Sequence, residues 1–191
     1  MRYDADHKTR THRRIVRSAS RQIRAKGLNG PGVAALMKAS GLTQGGFYKH
    51  FRSKNELLAE AIEDSLREGH QVLLDAAKKA PSGEGWKAIV NSYLSLEHCD
   101  QTSAGCPIAA LSPDIARTPP GVKRRIADVL KEYREAMLPW MPGRNAEERG
   151  KNFFVVFSTM IGAVSFARMM PEPDMRRRVL DSVRDYLFSA L

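Results

Sequence analysis

Apolar residues recur along this chain at intervals of three and four, the period of a helix, and no stretch alternates as a strand does. The first such series, Ile15, Ala19 and Ile23, predicts a helix over about Lys8–Lys26, with Gly27 as its stop. Asn29 to Gly32 reads as a turn. Val33, Leu36, Met37 and Ser40 then mark one face of a short helix, and Gly41 supplies the turn after it. Thr43 is placed to cap a second helix through its hydroxyl. On that helix Leu42, Phe47 and Phe51 fall on one side, and Gln44, Gly45, Tyr48 and Lys49 on the other. Ser53-Lys-Asn-Glu56 matches a capping box, and the helix it opens runs through Leu57, Ile62, Leu66 and Leu73 to about Lys79.

Pro81 to Gly85 interrupts the pattern. Beyond it, helices are expected at Trp86–His98, around Cys106–Leu111, at Gly121–Leu138, from Asn145 to about Met170, and through Met175, Val179, Val183 and Leu187. The expected fold is all-α, with about nine helices. Residues 1–53 form a three-helix head with a helix-turn-helix, 54–80 a connecting helix, and 81–191 a helical bundle.

Charge singles out the head. The 191 residues carry a net +10, yet residues 1–54 hold 13 basic and two acidic side chains, so the remainder is close to neutral. A cationic segment with a short helix pair that buries Phe and displays Gln, Tyr and Lys suits a duplex, whose affinity rests on phosphate neutralisation and whose sequence is read in the groove. Other classes lack their signals. No nucleophile–base set or phosphate loop stands out, so an enzyme is not expected. The basic first helix has no Trp or Phe anchors for a membrane surface. The apolar run Phe153–Ala167 is short for a span and contains Ser158, Thr159 and Ser165. The N-terminus lacks an apolar signal region, and two cysteines, Cys99 and Cys106, argue against a disulfide framework; the cytoplasm is expected. His98, Cys99 and Cys106 match no familiar metal spacing, and no cofactor is expected.

The segment Val33–Leu58, with its core GLTQGGFYKHFRSKNELL, resembles the DNA-binding domain of the TetR/AcrR family of bacterial transcriptional regulators. The arrangement of Tyr48, Phe51, Ser53 and Lys54 is narrower than a generic helix-turn-helix. Two positions depart from the usual pattern: Gly32 stands where Ser or Thr is common, and Met37 where a small residue is common. The resemblance implies a homodimer on a palindromic double-stranded operator, repression, and release by a small apolar or aromatic effector.

Candidate DNA contacts follow. Thr43 offers a hydroxyl and a backbone N–H to phosphate, Gln44 a base-edge reader, and Gly45 and Gly46 close backbone approach. Tyr48 and His50 are expected at phosphates, with Lys49 and Lys54 adding charge. Arg10, Arg13, Arg14 and Arg17 form a steering surface. The helix Asn152–Arg168 is apolar nearly all round, which predicts a dimer interface with the last helix through Phe153, Val156, Met160, Gly162, Ala163, Val183 and Leu187. The effector pocket is expected among Trp86, Tyr93, Cys106, Leu111 and Phe157. An alternative gives the signal to Cys106 itself: Gly105-Cys106-Pro107 sets a thiol at a helix start, where thiolates are favoured, for sensing oxidants or electrophiles.

Overall fold

The computed structural model describes residues 2–191, with side chains from residue 6 onward. All regular structure among them is helical. Nine α-helices follow in order: α1 (Arg2–Lys26), α2 (Val33–Ala39), α3 (Lys54–Lys79), α4 (Gly85–Tyr93), α5 (Leu96–Asp100), α6 (Pro107–Ala116), α7 (Pro120–Met137), α8 (Ala146–Ala167) and α9 (Pro173–Ala190). Two 3-10 segments intervene, Gln44–Lys49 and Leu138–Trp140.

Local chemistry sets the main boundaries. Gly27, at φ +78°, ends α1 in the left-handed region, and its N–H donates to the Ile23 carbonyl at 2.8 Å. Gly41, at φ +71°, does the same after α2. At the start of α3 the Ser53 hydroxyl accepts from the Glu56 N–H at 3.2 Å, while the Glu56 carboxylate accepts from the Arg52 N–H. The Ser53 cap is as expected, while the returning bond of the capping box goes to Arg52, one residue before the cap, rather than to the Ser53 N–H. Asn145 caps α8 by accepting from the Glu148 N–H at 2.9 Å.

One expected helix is two. The Trp86–His98 pattern breaks after Tyr93 because the Ser95 hydroxyl accepts the His98 N–H at 3.2 Å and starts α5. The His98 ring then bonds the Tyr93 carbonyl at 2.7 Å.

Burial divides into two cores strung along α3. The first joins α1, α2 and the Phe47–Phe51 segment to Leu57, Ala61, Ile62 and Leu66, and is completed by Leu111 from α6 and Val122, Ile126 and Val129 from α7. The second begins at Leu73 and Ala77 and gathers α4, α5, the end of α7, α8 and α9. At 26 residues α3 is about 39 Å long, enough to run through both.

α8 is long and apolar enough to cross a bilayer, but here it packs into the second core. Phe153, Val156, Met160, Ala163 and Leu187, expected at a dimer interface, are covered by the chain's own helices; Val183 is half-buried and Gly162 exposed. The exposed apolar positions of α8 include instead Val155, Gly162 and Phe166, with Met169 just past its end, and on α9 Met175 and Tyr186 are exposed. The period of α8 explains the difference. A helix apolar all round has both an inner and an outer stripe, and burial rather than hydrophobicity tells them apart.

Candidate nucleic-acid interface and ligand cavity

Two buried rings hold the Gln44–Lys49 segment against the first core. Phe47 and Phe51 are each 1% exposed, with ring centroids 5.5 Å apart. Their burial turns the alternate positions outward: Thr43, Gln44, Gly45 and Lys49 are exposed, and Tyr48 is 78% exposed with its ring set edge-on to Phe47. Gly46, His50 and Lys54 are half-buried.

The segment is a 3-10 helix rather than the expected α-helix, and the Thr43 hydroxyl makes no cap bond. The cap is instead made by backbone: Gly46 N–H donates to the Thr43 carbonyl at 3.1 Å. Paired glycines lower α-helix propensity at this position, which favours the tighter turn. The Thr43 hydroxyl is therefore not used in capping. The two glycines differ. A Cβ on Gly46 would meet the Met37 methyl at 3.7 Å, an ordinary contact, whereas one on Gly45 would meet nothing within 4 Å. Internal packing does not require glycine at 45.

His50 belongs to a small ring cluster. The His12 ring stacks on Phe51 at 4.5 Å, lies 5.9 Å from His50, and bonds the Glu60 carboxylate through Nε2 at 2.6 Å. Burial, then the nearby His12, Lys8 and Lys49, lower the His50 pKa. The neutral form of the ring is therefore favoured over the cation. Along α1, Arg10, Arg13, Arg14, Arg17 and Arg21 line a basic groove that reaches Ala39.

A cavity of about 790 Å³ opens where the two cores meet. Its wall is mostly apolar, drawn from Leu66, Leu73, Ile108, Leu130, Phe153 and Ile161, with Tyr93, Cys106 and Phe157 among the lining residues. Trp86 and Leu111 lie elsewhere. Trp86 sits edge-on to Phe188 at 5.4 Å, and Leu111 is wholly buried in the first core. Pattern alone placed these two on apolar helices without fixing which core each faces. It also missed His70 and Tyr133, whose rings stack at 3.3 Å in the cavity wall. Burial and Arg67 lower the His70 pKa to about 3, so this ring is neutral.

The loop from His98 to Cys106 forms one side of the cavity and is tied from three directions. The His98 Nε2 accepts the Cys106 N–H at 2.9 Å, which leaves its Nδ1 to donate to the Tyr93 carbonyl. Arg168 of α8 donates to the carbonyls of Cys99 at 2.9 Å and His98 at 3.2 Å. Arg24 of α1, only 5% exposed, donates to the carbonyls of Ala104 at 3.0 Å and Gly105 at 2.8 Å. Nearby, the Leu28 N–H donates to the Asp114 carboxylate at 3.0 Å. The head is therefore hydrogen-bonded directly to the cavity wall. Sequence gave no sign of this, because Arg24 looks like one more residue of a basic helix.

Comparison with known proteins is consistent with this architecture. Residues 15–61 match the sequence profile of bacterial regulatory proteins of the tetR family. The HTH-type transcriptional regulator LmrA of Bacillus subtilis (strain 168) is 24% identical over 122 residues, covering 63% of this chain; the match spans 65% of that protein's length. A TetR-family regulator from Cytophaga hutchinsonii superposes with a TM-score of 0.77 at 18% identity, covering 96% of each chain. FadR from Bacillus subtilis, solved in complex with stearoyl-CoA, superposes with a TM-score of 0.71 at 17% identity, covering 93% of this chain and 98% of that one.

Proposed function

We propose that this chain is a regulator of the TetR family, whose profile its residues 15–61 match, and that it binds a palindromic operator as a cytoplasmic homodimer and leaves it when a small apolar or aromatic effector fills the cavity. The observation that carries the DNA half is the outward face of Gln44, Gly45, Tyr48 and Lys49, held rigid by the wholly buried Phe47 and Phe51 on a head that carries the chain's entire surplus of positive charge. Gln44 reads a base edge; Thr43, Tyr48 and His50 bond phosphates; Lys49 and Lys54 neutralise them. The exposed apolar residues of α8 and α9, among them Phe166 and Tyr186, pair with their copies in a second chain.

The effector half rests on the cavity and on Arg24. An effector that fits only a displaced His98–Cys106 loop moves the carbonyls that Arg24 holds, and so biases α1 and the head. A 100-fold preference for the DNA-incompetent state corresponds to about 2.7 kcal/mol, enough to empty an operator near half-saturation. FadR holds an acyl-CoA, and a mostly apolar wall here is compatible with an apolar effector.

The test is a fluorescence-anisotropy titration against DNA flanking the protein's own coding sequence. Sequence-selective binding that weakens steeply with salt is expected; equal binding to any polyanion removes the regulator reading. A second reading is favoured by the place of Cys106 in the cavity wall: an electrophile entering the cavity would meet the thiol and modify it. Mass spectrometry after mild electrophile treatment decides, and unmodified Cys106 with retained DNA binding ends that alternative.

A further inference from the structure

Two phenol groups in the cavity wall lack a nitrogen or oxygen partner. Tyr93 on α4 is 5% exposed and Tyr133 on α7 is 6% exposed; each lines the cavity, the Tyr133 hydroxyl makes no hydrogen bond, and the Tyr93 hydroxyl has only the Cys106 thiol, a weak partner, beside it. Buried polar groups are nearly always paired, because an unpaired one forfeits its bonds to water.

The surroundings explain why the protein does not satisfy them. Tyr93 sits edge-on to the His98 ring at 4.4 Å, but both ring nitrogens of His98 are already committed to backbone groups. Tyr133 is sandwiched by stacking on His70 and by Phe157 at 5.1 Å, and neither ring edge serves its hydroxyl. Burial and the nearby Cys106 push both phenols well above their usual range, so each keeps its proton and remains a donor. Around them the wall holds two neutral imidazoles. Its cations, Lys131 and Arg134, lie on α7; Lys131 is exposed, and the Arg134 guanidinium rests over the exposed ring of Phe154 at 5.4 Å. The Arg134 Nε is buried without a partner, so an anionic probe belongs in the test.

We propose that the cavity selects an uncharged, largely apolar molecule bearing an accepting oxygen, such as a ketone, aldehyde, ester or quinone carbonyl, and that the Tyr93 and Tyr133 hydroxyls bond that oxygen. This rests on the effector reading above and adds the chemistry of the ligand. The apolar walls take the body of the molecule, and the two donors fix its orientation and reject hydrocarbons of the same shape, because a hydrocarbon leaves both hydroxyls without an oxygen partner.

Three fluorescent probes of one ring size test it on the full-length protein: Prodan, a neutral naphthyl ketone; dimethylaminonaphthalene, which lacks the carbonyl; and naphthoate, which is anionic. The wild type should bind Prodan about 5–150-fold more tightly than the carbonyl-free ring, the range expected of two neutral hydrogen bonds. The double variant Tyr93→Phe/Tyr133→Phe should lose that preference and, without ligand, melt at a higher temperature than the wild type. A ketone preference that survives the double variant overturns the proposal. So does equal binding of both neutral rings by the wild type, or tightest binding of naphthoate; each of these outcomes leaves the effector cavity standing. Binding of none of the three removes the effector reading and this proposal together.

Discussion

The guanidinium of Arg24 lies 2.8 Å from the carbonyl oxygen of Gly105, eighty-one residues away along the chain. The same nitrogen reaches the Ala104 carbonyl at 3.0 Å, and the side-chain Nε bonds the Ser20 carbonyl one turn back in α1. A buried cation from the head is thus satisfied by the backbone that leads into the cavity wall. Hydrogen bonds to charged groups are worth about 1.5–3 kcal/mol each, and Arg24→Met removes the donors while keeping much of the stem. The expected loss is about 2–4 kcal/mol in urea unfolding. The same variant should bind operator more weakly, because the end of α1 loses its anchor. An unchanged unfolding midpoint would show that the clamp contributes nothing.

Gly45 separates folding from DNA binding. With open space around its missing Cβ, Gly45→Ala should leave stability unchanged or raise it by about 0.5–1 kcal/mol. Operator affinity should nonetheless fall, since the methyl group stands between backbone and phosphate. Calorimetric melting and anisotropy on the same sample check both limbs. Gln44→Ala should cost about 1–3 kcal/mol on the preferred operator and relax specificity at one base pair. Reversing Lys49 and Lys54 to Glu should weaken all sequences alike and flatten the salt dependence by about one counterion per lost contact.

The exposed apolar residues of α8 and α9 predict assembly. Phe166 on α8 is 51% exposed and Tyr186 on α9 is 68% exposed. Phe166→Glu with Tyr186→Glu should give a folded monomer by sedimentation and abolish tight operator binding. A dimer of wild-type stability in this variant would move the interface elsewhere. Lower protein concentration should also reduce the wild-type melting temperature, as mass action requires of a dimer that stabilises its subunits.

Acid should destabilise the second core before it affects most carboxylates. The His70 pKa is lowered from 6.5 to about 3, so between those values the unfolded chain binds a proton that the folded chain refuses. Stability is then full above pH 6.5 and declines as pH falls toward 3, by at most about 1.4 kcal/mol per pH unit. Burial lowers the His98 pKa too, and protonating its Nε2 would break the bond it accepts from the Cys106 N–H. Urea midpoints at neutral pH and in mild acid test this. His70→Phe, which keeps a flat ring beside Tyr133, should reduce the slope.

The sequence made the helices legible because their signals are local. The Ser53 cap, Gly27 and Gly41 act within a few residues, and the structure places each where spacing predicted. The head was legible because Phe47 and Phe51 alternate with polar neighbours over a single turn. Long-range choices were not. Nothing in the spacing of α8 distinguishes Val156, which is buried, from Val155, which is exposed. The cavity takes His70 from α3 and Tyr133 from α7, two residues that look like surface and core respectively until their helices are packed together. Arg24 is the clearest instance: its buried role depends on a loop eighty positions downstream, which no local period encodes.

The first core has one further consequence. Leu111, Val122, Ile126 and Val129 complete it from beyond residue 100, so the N-terminal head does not own all of its interior. Cutting the chain after α3 would expose to water the faces of α1 and α3 on which α6 and α7 pack. The two halves cannot be exchanged as independent cassettes: grafting a foreign sensor onto this head would require carrying α6 and α7 across with it.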